Sequence, residues 1–189
     1  KVGYLRFKDV DGNGTISEKD RTILGSYLAP VTYGIDAKVN YKGFDLGVEL
    51  AGVAGNELFN SKKTPYNFNQ FNFLEGWKHR WHGEGTSNTY PILSNQRPDN
   101  MLNSDFFVES GSYIRLRTLQ LGYTFPKEWL QHIFINKLRV YVNAQNLVTL
   151  SSFNGWTPEV GGSPLQSGVD SGALYPIPAS ITFGFNLNF

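Results

Sequence analysis

In residues 180–189, SITFGFNLNF, every second side chain is apolar. Ile181, Phe183, Phe185, Leu187 and Phe189 fall on one face, and Thr182, Gly184, Asn186 and Asn188 fall on the other. A strand points successive side chains to opposite faces, so this pattern assigns one face to an apolar medium and one to a polar medium. The same period runs through 32–41, where Tyr33, Ile35, Ala37, Val39 and Tyr41 oppose Thr32, Gly34, Asp36, Lys38 and Asn40. It resumes after Lys42-Gly43 with Phe44, Leu46, Val48 and Leu50 against Asp45, Gly47, Glu49 and Ala51. A two-residue turn at Lys42-Gly43 would pair Tyr41 with Phe44, Val39 with Leu46, Ala37 with Val48 and Ile35 with Leu50, so that apolar meets apolar throughout. Asn40 would then face Asp45, and Lys38 would lie diagonal to Asp45 and Glu49. Lys is not the usual first residue of a primed turn, so the turn type stays open at this level.

Residues 137–148 alternate likewise, with Leu138, Val140, Val142 and Ala144 against Arg139, Tyr141, Asn143 and Gln145. Residues 112–125 are strand-like with a slipped phase: Ile114 and Leu116 are even, whereas Leu119, Leu121, Tyr123 and Phe125 are odd. A bulge near Arg117-Thr118, or an upper part standing above a membrane, accounts for the slip. The predicted strands are thus about 32–42, 44–53, 112–125, 137–149 and 179–189. Their length approaches the ~9–11 residues of a membrane-crossing strand rather than the ~5–6 of a soluble one.

The connections alternate in length as well. Lys42-Gly43 and 126–136 are short, while 54–111 and 150–178 are long. Outer-membrane barrels combine short periplasmic turns with long extracellular loops. That polarity predicts a periplasmic C-terminus, with residues 1–31 and the long loops extracellular. Tyr41, Phe44, Tyr123, Phe125 and Phe189 gather at the short-turn end, where an interfacial aromatic girdle belongs. The expected fold is therefore all-β: the C-terminal five strands, within 32–189, of a large antiparallel transmembrane β-barrel with long extracellular loops. Five strands cannot close a membrane barrel, which needs at least ~8, so the chain is expected to be part of something larger. The start KVGYLRFKDV, which reads as strand and lacks a signal-peptide pattern, points the same way.

Composition removes other classes. Seventeen basic against sixteen acidic residues leave a formal charge of +1 and no electrostatic case for nucleic acid. Without cysteine, neither disulfides nor thiolate metal sites arise. No apolar run approaches the ~18 residues of a transmembrane helix, and a mean hydropathy of −0.31 is compatible with barrel strands that are half polar. A soluble β-sandwich also alternates, but its outer faces would carry more Lys and Glu than these do.

Residues 9–20, DVDGNGTISEKD, fit a twelve-residue calcium loop. Asp9, Asp11 and Asn13 stand at positions 1, 3 and 5, Gly14 at the sharp turn, Thr15 at the carbonyl position and Ser17 at the water-mediated one. Asp20 replaces the usual bidentate Glu. A structural Ca2+ ion stiffening an extracellular loop is the expectation; an Asp/Asn/Gly turn satisfied by its own backbone is the plain alternative. Within 68–90, Trp77, Trp81 and Tyr90, and further on Trp156, are candidates for stacking on a sugar or gripping a partner protein, set against self-packing of the loops. His79 and His82 lack an evident third metal ligand. No nucleophile–base constellation, phosphate loop or paired catalytic carboxylate is present, so no enzyme activity is expected.

Five phrases, in order, resemble the C-terminal third of SusC/RagA-like TonB-dependent importers: FKDVDGNGTISEKDRTILG, VTYGIDAKVNYKGFDLGVELAGVAGNELFN, FFVESGSYIRLRTLQLGYTFP, LRVYVNAQNLVTLSSFNGWTPEVG and the terminal ITFGFNLNF. The resemblance implies an outer-membrane barrel of about 22 strands around an N-terminal plug. It also implies drive from the TonB complex, contact with outer-membrane lipid, a SusD-like surface lipoprotein as cap, and a glycan or oligopeptide as cargo. The terminal Phe189 resembles the signal read by barrel-assembly machinery. Two other expectations compete with import: a soluble calcium-stabilised glycan-binding β domain, and a barrel scaffold without transport.

Overall fold

The computed structural model describes residues 2–64, 75–93, 102–131, 134–161, 167–172 and 174–189. Eight strands are numbered in chain order. Five are long: β1 (Val31–Tyr41), β2 (Phe44–Ala54), β5 (Tyr113–Thr124), β6 (Lys137–Ser151) and β8 (Ser180–Asn188). They form one antiparallel sheet in the order β1-β2-β5-β6-β8. Three are short: β3 (Glu57–Asn60), β4 (Val108–Ser110) and β7 (Val169–Asp170). These make a second sheet, β4-β3-β7, in which β7 runs parallel to β3. Among the described residues the long sheet ends at β1 on one side and β8 on the other, and no further strand pairs with either edge.

The first hairpin has the register that hydrophobic alternation predicts: Tyr41 lies opposite Phe44, Val39 opposite Leu46, Ala37 opposite Val48 and Ile35 opposite Leu50. Its turn resolves the open question, because Lys42 and Gly43 both have positive φ, 46° and 87°, as a type I′ turn demands. The predicted bulge is present too. Glu49 and Leu50 are consecutive on β2 but face Thr118 and Leu116 on β5, so Arg117 is the extra residue. Strand β6 adds a further one: Leu116 pairs with Val148 and Thr118 with Gln145, leaving Asn146 and Leu147 between them. Asn146 takes the strain at φ 53°, a conformation Asn tolerates better than most residues. The slip in phase is therefore a bulge, and the apolar rows stay in line across it: Leu50, Leu116 and Val148 continue one row, as do Leu46, Leu121, Val142 and Phe183.

Lys38 lies opposite Gly47, diagonal to Asp45 and Glu49 as the register predicts, but it pairs with neither. Lys38 contacts Asp36 on its own strand at 3.6 Å. Asp45 is taken by Arg139 of β6, whose Nε donates to Oδ1 at 2.8 Å while Nη2 donates to Oδ2. A planar guanidinium matches a carboxylate in two bonds, which a flexible ammonium cannot do. The pair spans the intervening strand above Gly122, where a Cβ would come within 2.5 Å of Arg139 Nη2. The N-terminal stretch is a second departure, since residues 5–9 are not strand. Ile92 N donates to its Gly3 O at 2.7 Å.

The core lies not under the long sheet but beyond its long-connection end. Leu58, Trp77, Phe107 and Phe153 are buried there. The apolar face of the long sheet is bare: Phe183 is 81% exposed and Phe189 79%, and Ile35, Val39, Phe44, Leu121, Val140, Leu150 and Phe185 are exposed with them. No layer of this chain covers that face among the described residues.

Candidate functional site

The calcium-type loop folds as its sequence pattern dictates. Gly12 and Gly14 adopt positive φ and let the chain curl around Asp9, whose two oxygens accept from Gly12 N and Gly14 N, each at 2.7 Å. Asp11 accepts from Asn13 N and Nδ2, and Asn13 Oδ1 accepts from Thr15 N at 2.8 Å. Asp20 closes the ring as the third residue of a short 3-10 turn capped by Ser17. Its carboxylate accepts from Ser17 N at 2.6 Å and from Val10 N at 2.8 Å. Those bonds, from Ser17 and then Val10, hold the Asp20 carboxyl below its usual range. Asp9, Asp11 and Asp20 thus bring carboxylate oxygens within 4.8 Å of one another, a hard-oxygen donor set of the kind calcium takes. No third ligand of that kind joins His79 and His82 among the described residues.

The aromatic candidates separate. Trp77 is only 3% exposed, its ring covered by Tyr90 at 5.2 Å and Phe106 at 6.2 Å between centroids. Trp77 is therefore core of the loop body and offers no free face to a ligand, a correction to the sequence expectation for it, while Tyr90 packs edge-on against it and stays half-buried. Burial, followed by the nearby Glu109 charge, pushes the Tyr90 hydroxyl up. Trp81 lies against Gly3, where a Cβ would meet its Cε3 at 2.5 Å, and so ties the calcium-type loop's stem to the aromatic loop. Trp156 alone of the four is open to solvent, with Lys62 Nζ 5.8 Å above its ring. The parts of the aromatic loop at 68–74 lie outside the described residues.

Sequence reasoning missed what binds the two long connections together. Lys62 Nζ sits 2.8 Å from the fully buried Asp170 across the two, and within the first connection Lys63 Nζ sits 2.7 Å from Glu109. Ser61 Oγ donates to Asp170 O, and Asn154 N donates to Glu109. Burial opposes ionisation of Glu109, but hydrogen bonds from Lys63 and from Asn154 outweigh it and hold the carboxyl below the usual range. A further tie joins the second connection to the wall: Arg115 Nη1 donates to Glu159 at 2.7 Å, and Tyr113 donates to the same carboxylate. Residues so far apart in sequence carry no local signal of such pairing. On the polar face at the bulge these groups border a cleft of about 390 Å³, lined by Glu49, Arg115, Arg117, Gln145, Asn146 and Glu159.

No protein-family profile matches the chain. It is 30% identical over 196 aligned positions to the TonB-dependent receptor P26 of Formosa agariphila, covering 100% of this chain and 20% of that protein. It is 28% identical to the TonB-dependent receptor SusC of Bacteroides thetaiotaomicron, covering 97% of this chain and 17% of SusC. The RagAB peptide importer in its closed-closed state superposes with a TM-score of 0.74 at 26% identity, over 96% of this chain and 20% of that one. The chain is a SusC/RagA-like segment of a TonB-dependent transporter. The segment spans about a fifth of the length of the curated relatives it matches. Its bare apolar face and its polar face, which carries Arg139–Asp45 and the cleft at the bulge, are the two faces of one section of such a β-barrel.

Proposed function

We propose that this SusC/RagA-like segment forms part of the wall and surface loops of an importer that carries an oligosaccharide or oligopeptide across the bacterial outer membrane. In this reading the segment is the C-terminal part of the barrel, its short turns and C-terminus are periplasmic, and its long connections face outward. The observation that carries it is the uncovered apolar face, continuous over five long strands. A soluble glycan-binding domain would have to bury that face. Drive from TonB, a plug, and a SusD-like lipoprotein over the loops belong to the complete protein. Exposed Trp156 is the aromatic best placed to meet cargo or that partner. The relatives' names support receptor chemistry, and RagAB, a peptide importer, supports the oligopeptide option. Deleting the full-length gene should abolish growth on the one oligomeric nutrient it imports while growth on the monomers persists. Recovery of the native protein as a soluble periplasmic or secreted species would sink the reading.

We also propose that Asp9, Asp11, Asn13, Thr15, Ser17 and Asp20 hold a structural Ca2+ ion. The convergent carboxylates support it. Chelation should then speed protease cleavage within 9–20, and Asp20→Ala should abolish the response to calcium. Identical cleavage with and without calcium would leave only a turn.

A further inference from the structure

Strands β5 and β6 break their register at one level, and the break changes where side chains go. In a regular strand, consecutive side chains point to opposite faces. Arg117 is the extra residue of β5, yet it and its neighbour Thr118 both line the polar-face cleft of about 390 Å³. A bulge permits this, because its extra residue lets two neighbours share a face.

Four charged side chains line the cleft: Glu49, Arg115, Arg117 and Glu159. Two are spent on each other. Arg115 is buried and donates through Nε to Thr149, through Nη1 to Glu159 and through Nη2 to Thr157. Burial opposes ionisation of Glu159, but hydrogen bonds from Tyr113 and Arg115 outweigh it and hold its carboxyl below the usual range. The other two are left over. Arg117 is exposed and has no hydrogen bond or ion pair among the described residues. Glu49 accepts one bond, from Thr118 Oγ1 at 3.0 Å, and makes no ion pair with Arg117. A guanidinium with its donors free offers a planar fork that matches a carboxylate in two bonds. A doubly charged phosphate would be repelled by Glu49, whereas a single carboxylate flanked by hydroxyl or N–H donors engages both side chains.

We propose that the bulge is a seat for a carboxylate-bearing unit of the cargo. Arg117 forks onto the carboxylate, and Glu49 accepts from the hydroxyl or N–H groups beside it. The seat rests on the import reading above. Uronic acids and the C-terminal residues of peptides share this chemistry, and the test separates them.

The test measures the affinity of the full-length transporter in detergent for two pairs of probes. One is trigalacturonate against its methyl ester, and the other is trialanine against its C-terminal amide. In one pair the native protein should bind the acid form about tenfold more tightly, a modest value for hydrogen bonds to a charged group. The responding pair identifies the source. Arg117→Gln should erase that preference and leave affinity for the capped form unchanged, while Arg117→Lys should keep part of it. Neither substitution removes a bond within the described residues, so heat-induced unfolding should not change. An acid preference absent from both pairs, or one that survives Arg117→Gln, overturns the seat and leaves the import reading standing. Growth on the nutrient that survives deletion of the gene overturns the import reading instead, and the seat with it.

Discussion

At the scale of residues, a few side chains hold together strands that the backbone alone would leave to slide. Arg139 reaches over Gly122 to Asp45, joining β6 to β2 across β5. Arg139→Ala should cost about 1.5–3 kcal/mol, the range for hydrogen bonds to charged groups, read as a lower temperature of heat-induced unfolding on semi-native gels. Gly122→Ala should cost a similar amount with both charges intact, because its methyl drives the pair apart. Little of this was legible in the sequence. Arg139 and Asp45 each read as a polar-face charge, and Lys38 was the nearer candidate for Asp45. Only the order of strands in the sheet makes Arg139 the partner.

At the scale of elements, the strands were legible and the loop body was not. Alternation is a local, period-two signal, so Ile181 through Phe189 disclosed both an element and its orientation, and the slip at Arg117 disclosed a bulge. The short strands β3, β4 and β7 have two to four residues, too few to establish a period, and they pair through contacts remote in sequence. The calcium-type loop was legible because its ligand spacing is itself local. Trp77 misled because an aromatic beside His and Arg reads the same whether it packs inward or outward. Two predictions belong here. Phe107→Ala, emptying a fully buried site, should cost about 3–5 kcal/mol and expose the long connections to protease. Acid should do the same. A Glu109 carboxyl depressed in the folded state contributes stability that is complete above its unfolded value of ~4.3 and is lost as pH falls through the lower folded value. Protease sensitivity should therefore rise below that pH, and Glu109→Gln should remove that part of the acid response.

At the scale of the molecule, one sheet carries an apolar face and a polar face, suited to different solvents. Val142 and Asn143 are neighbours on β6, one in an apolar row opposite Phe183 and the other opposite Thr182. Val142→Arg should cost about 2–4 kcal/mol near mid-membrane, whereas Asn143→Arg should cost much less; folding titrations into lipid bilayers would measure both. The sheet's open margins at β1 and β8 carry a different lesson. Each margin is a row of donors and acceptors with no counterpart, and either can be satisfied by the other from a second copy. Produced alone, this stretch would extend itself edge to edge into ribbons. Closed margins are thus a property conferred by the rest of the wall, so a trimmed version is a material rather than a miniature of the protein.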